Sequence, residues 1–168
     1  MRYLLMALML LLSLILPGTA FYFWSWGDIK PDLIMLFIIY MALHHRPLSG
    51  ALWGLGAGII EDLYIGRHFG MYSLTLAVVA LLTGWLAQRW NRENLPLIIL
   101  IVFLVTFMGQ LVIVFLNLGA GTGWTFYAAL RLVGGVSLYN AVLVPITYPW
   151  IHRSFVKGWL KYRPKYER

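Results

Sequence analysis

Six apolar runs, separated by short polar or aromatic stretches, dictate the solvent this chain can fold in. They cover Tyr3 to Phe23, Pro31 to Leu43, Leu48 to Ile65, Met71 to Ala87, Leu95 to Leu118 and Ala128 to Trp150. About 20 apolar residues at about 1.5 Å each cross a hydrocarbon core of about 30 Å. Inside that core the backbone must satisfy its own hydrogen bonds, which these runs do as helices. Hydrophobic residues make up 61% of the 168 and charged residues only 11%, whereas soluble domains carry about a quarter charged residues. The expectation is an all-α membrane protein, a six-transmembrane-helix bundle forming one domain over residues 1–168.

The first run could be read as a signal peptide, because Gly18-Thr19-Ala20 offers small residues after a leucine-rich stretch. Its apolar character nevertheless continues through Phe21, Tyr22, Phe23, Trp24 and Trp26, aromatic residues suited to the headgroup level. A retained helix is expected. The second run ends at His44, His45, Arg46 and Pro47 and is too short for a full crossing, so it is expected to be surrounded by protein or tilted. Pro31 suits a first helical turn, with Asp32 favoured at the positive dipole end.

Charge sets the orientation. With the amino terminus inside, the inner segments hold Arg2, Arg46, Arg89, Arg92 and six tail cations, against Lys30, Arg67 and Arg131 outside. Residues 151–168 place Ile151, Phe155, Val156, Trp159 and Leu160 between basic residues at helical spacing, the pattern of a basic amphipathic cytoplasmic tail. Contact with anionic lipid or cytoplasmic partners is expected at Arg153, Lys157, Trp159 and Lys161. The net charge of +7 comes with no nucleic-acid-binding signature, so nucleic acid is not an expected partner. Both termini are expected in the cytoplasm, with the protein in a bacterial inner membrane.

Gly50, Gly54 and Gly58 recur every four residues in the third run, a stripe that lets another helix backbone come close. The stripe leads into Glu61-Asp62-Leu63-Tyr64-Ile65-Gly66-Arg67-His68-Phe69-Gly70, which gathers two carboxylates, an arginine and a histidine. Such a group could bind a ligand or move protons, or it could be a surface loop with a structural or partner-contact role, the reading favoured here. Asp62 lies where the dipole of its own helix disfavours negative charge. It is therefore expected to contact Arg67 or backbone N–H groups at the start of the fourth helix. Gln110 and Asn140 lie at similar depth in the fifth and sixth runs, so those helices are expected to pack through them.

Enzyme chemistry has no visible carrier. The chain lacks a phosphate-binding glycine loop, a zinc-helix pattern and a nucleophile elbow. It contains no cysteine, and the adjacent His44 and His45 diverge without a third ligand nearby, so no metal or cofactor is expected.

Pro31-Asp32-Leu33, then Gly50, Gly54 and Gly58 leading into Asp62-Leu63, Gly66 and Phe69-Gly70, resemble the rod-shape-determining protein MreD family over essentially the whole chain. The resemblance implies a non-enzymatic subunit of the bacterial cell-elongation machinery that supports lateral peptidoglycan synthesis. Its implied partners are the bitopic protein MreC, the actin-like MreB, RodA and a class B penicillin-binding protein. It also implies a fold like the S-components of energy-coupling-factor transporters. From that kinship comes the rival function, a vitamin-like small-molecule receptor. Under the first reading the transmembrane helix of MreC would contact Gly50, Gly54 and Gly58, with Asp32, Asp62 and Arg67 as further partner-binding residues.

Overall fold

A computed structural model describes residues 2–19, 29–66, 69–89, 94–121 and 125–156. These residues form six α-helices: α1 Arg2–Thr19, α2 Leu33–His44, α3 Pro47–Ile65, α4 Met71–Ala87, α5 Leu95–Gly119 and α6 Phe126–Val156. Successive helices run in opposite directions, so Thr19, Leu33, Ile65, Met71, Gly119 and Phe126 mark one end of the bundle. His44, Pro47, Ala87 and Leu95 mark the other. Helices α5 and α6 are long and apolar enough to cross a membrane, while α2, α4 and the Met6–Thr19 part of α1 are shorter apolar helices.

The centre of the bundle is α2. A helix that is apolar all round has no face suited to water and stabilises a fold by being enclosed. Every residue from Ile34 to Leu43 is buried, and α2 packs against each of the other five helices. Its 12 residues extend about 18 Å at about 1.5 Å per residue, so protein rather than lipid surrounds it, as its length suggested. The helix begins later than Pro31 because Asp32 takes the N-cap, its side chain accepting from the Met35 N–H at 2.9 Å.

Around this post the longer helices show one buried and one outward face. In α1, Met6, Leu10 and Ser13 turn inward while Leu4, Leu8, Leu11 and Ile15 are exposed. In α3 the inward positions are Gly50, Ala51, Gly54, Ala57 and Gly58, all small, followed by Glu61 and Asp62. Leu48, Leu52, Leu55 and Leu63 lie outward on the same helix. This inverted polarity, with large apolar side chains outside, is what a lipid solvent selects. The sixth helix continues through Pro145 and Pro149 to Val156 without a break at residue 151. Each proline leaves the carbonyl four residues before it without a helical N–H partner. The rest of the tail, including Lys157, Trp159 and Lys161, lies outside the described residues.

Candidate functional site

The α3–α4 hairpin is built on the glycine stripe. A Cβ at Gly50 would lie 3.2 Å from Ala42 of α2, one at Gly54 would run into the Leu76 carbonyl, and one at Gly58 into the Ser73 backbone. Gly84 of α4 repeats the device toward Pro47, at 2.7 Å. Close backbone approach maximises dispersion contact where lipid offers no hydrophobic gain between helices. The sequence leads us to expect a partner helix along this stripe; within the chain itself α2 lies against Gly50 and α4 against Gly54 and Gly58. Gly56, on another face, has open space around its Cβ position.

At the end of the stripe Asp62 closes the hairpin. Its Oδ2 accepts from the Gly70 N–H and the Ser73 N–H, each at 3.0 Å, and from the Ser73 hydroxyl. Its Oδ1 accepts from the Tyr72 N–H at 3.0 Å. Gly70, the N-cap of α4, has no side chain to cap its own helix, so the carboxylate of the preceding helix supplies the missing acceptor. The charge that the α3 dipole disfavours is thereby stabilised by the positive end of α4. Of the two contacts expected for Asp62, the one with backbone N–H groups is made; Arg67 and His68 lie outside the described residues. The turn also uses left-handed backbone at Gly66, φ 68°, whose N–H donates to the Asp62 carbonyl at 2.9 Å.

A second polar junction joins three helices at Asp32. Its Oδ2 accepts from Gln110 Nε2 of α5 at 2.9 Å. Its backbone N–H donates to Asn140 Oδ1 of α6, and its carbonyl accepts from Asn140 Nδ2, both at 3.1 Å. Gln110 and Asn140 therefore do not join α5 to α6 directly, as expected from depth; each grips the start of α2 instead. Within the bundle these bonds replace ones that lipid cannot make. Asn117, one helical repeat from Gln110, bonds back to the Ile113 carbonyl at 2.9 Å.

Between these junctions lies a cleft of about 480 Å³. Asp32, Glu61, Tyr72 and Gln110 are among its polar lining residues, and Ile113, Val114, Leu132 and Val136 among its apolar ones. Glu61 is only 8% exposed, and its Oε2 has no hydrogen-bond partner. Leaving a buried polar atom unpaired costs about 1–3 kcal/mol, more if charged.

The opposite end carries a cluster that the sequence did not announce. His44 Nδ1 bonds the Tyr40 carbonyl at 2.8 Å, which makes that nitrogen the donor. Its Nε2 meets His152 Nδ1 of α6 at 3.0 Å, while Tyr148 stacks on His152 with ring centroids 5.3 Å apart. The hydroxyl of Tyr40 meets that of Thr147 at 2.8 Å. The signal was the recurrence of polar side chains four residues apart, Tyr40 with His44 and Tyr148 with His152, at the same end of two antiparallel runs. His45 instead turns to the Met41 carbonyl at 2.8 Å. Arg153, in the last described turn, is exposed. Among the described residues no group of three His, Asp or Glu side chains could hold a metal ion.

The family model described as rod shape-determining protein MreD matches residues 1–157. Neither a curated protein sequence nor a solved structure matches the chain, so the likeness to transporter S-components has no structural match behind it.

Proposed function

Because this chain belongs to the MreD family of rod shape-determining proteins, we propose that it is a non-enzymatic membrane scaffold and regulatory subunit of the bacterial cell-elongation complex. In this reading it binds the transmembrane helix of MreC and supports lateral peptidoglycan synthesis. RodA, a class B penicillin-binding protein and MreB are further members of the complex. The observation that carries the reading is the family match over residues 1–157.

The packing shapes how such a subunit would work. Gly50, Gly54 and Gly58 of α3 and the carboxylates of Asp32 and Asp62 are engaged within the chain. A partner helix would therefore rest on outward apolar side chains, with the stripe and the acids holding that surface in shape. The positive-inside bias supports six crossings of the inner membrane with both termini cytoplasmic. Arg153, Lys157, Trp159 and Lys161 would then meet anionic lipid or MreB at the inner face.

Affinity purification of the full chain from its native membrane, with identification of what accompanies it, tests the proposal. Recovery of MreC together with wall-synthesis proteins is expected. A folded chain recovered reproducibly without MreC would overturn the MreC assignment.

A further inference from the structure

The cleft between the Asp32 and Asp62 junctions contains an acceptor that the described protein leaves unused. Both oxygens of Asp62 are engaged by the start of α4, and each oxygen of Asp32 accepts a bond, from Met35 and from Gln110. Glu61 differs: it lines the cleft, is more than nine-tenths buried, and its Oε2 accepts nothing. Among the described residues, three carboxyl side chains and one cationic one, Lys30, belong to the wall, so the cleft favours a positively charged guest. A metal ion does not suit it, because no three ligating side chains converge among the described residues. Ile113, Val114, Leu132 and Val136 give the same lining an apolar part. A volume of about 480 Å³ also falls within the range of about 300–1,000 Å³ usual for small-molecule sites.

We propose that this cleft is a binding site for a small organic amine, whose ammonium group donates to Glu61 and whose hydrocarbon body lies against Ile113, Val114 and Val136. The charge-assisted bond would engage the Glu61 carboxyl group where it borders the cleft, and the apolar lining would select against small inorganic cations. The site goes beyond the scaffold reading and does not depend on it, since it needs no partner protein.

Calorimetric titration of n-hexylamine into the full chain in nanodiscs of zwitterionic lipid provides the test, with n-hexanol as a control for partition into lipid. The amine should bind saturably at one site, whereas the alcohol should show only unsaturable partition. Glu61→Gln should weaken amine binding at least tenfold. Leu132→Trp, which narrows the apolar wall without altering a carboxylate, should weaken it too, and it decides the matter should the Gln variant fail to fold. Unsaturable heats alike for amine and alcohol would overturn the site. Saturable amine binding that Glu61→Gln leaves unchanged would overturn the assignment of Glu61.

Discussion

Asn140 holds the backbone of Asp32 from both sides, accepting from its N–H and donating to its carbonyl, each at 3.1 Å. The two residues are 108 positions apart, so a single amide fastens the start of the central helix to α6. Asn140→Leu should lower stability by about 1–3 kcal/mol by leaving the half-buried Asp32 N–H without its partner. Asn140→Asp, which keeps an acceptor for that N–H, should cost less. Thermal unfolding of the purified variants in one detergent measures the order, and equal losses would contradict the two-bond geometry.

Asp62→Ala should be more damaging than Ser73→Ala. The first substitution removes the acceptor for three backbone N–H groups and a hydroxyl, whereas the second removes the hydroxyl alone. A lost N-cap costs about 0.5–2 kcal/mol, and each buried donor left over adds to it. Amide hydrogen exchange read at Gly70, Tyr72 and Ser73 should accelerate in Asp62→Ala. Unchanged protection there would show that α4 is capped by other means.

Leucine at Gly58 or Gly54 should separate α3 from α4 and sharply reduce the yield of folded protein, because a Cβ there meets α4 backbone. Leucine at Gly56, where nothing lies within 4 Å, should be tolerated. Size-exclusion profiles and thermal transitions of the three variants give the comparison. Intact folding of Gly58→Leu would mean that the hairpin is looser than described.

His44 and His152 should show energetic coupling in a double-mutant cycle. Replacing either with leucine breaks the 3.0 Å bond between α2 and α6, and a neutral hydrogen bond contributes about 0.5–1.5 kcal/mol. The double variant should therefore lose less than the sum of the singles. Strict additivity of the unfolding free energies would rule out the pairing.

Hydropathy was enough to place the helices, and the bounds of α4 at Met71 and Ala87 coincide with those of its apolar run. The burial of α2 followed from its length, and the backbone capping by Asp62 from the dipole of its own helix. Rotation about the helix axes and the choice of neighbours were not legible. Depth along the membrane put Gln110 level with Asn140 but could not reveal Asp32 between them. The spacing of Gly50, Gly54 and Gly58 announced a close helix without saying whose. His152 stayed hidden because its partner lies 108 residues away, and only the antiparallel return of α6 brings it to His44.

The enclosure of α2 bears on how the protein can be made. Twelve residues are too few to lodge stably across a bilayer alone, and the polar start of this segment is completed by Gln110 and Asn140, which lie 78 and 108 residues later. During synthesis α1, α3 and α4 can flank the segment first, while its polar start lacks these partners until the last two helices arrive. A ribosome stalled before Asn140 would hold a chain whose central helix is already flanked by its amino-terminal neighbours but not yet fastened at its start.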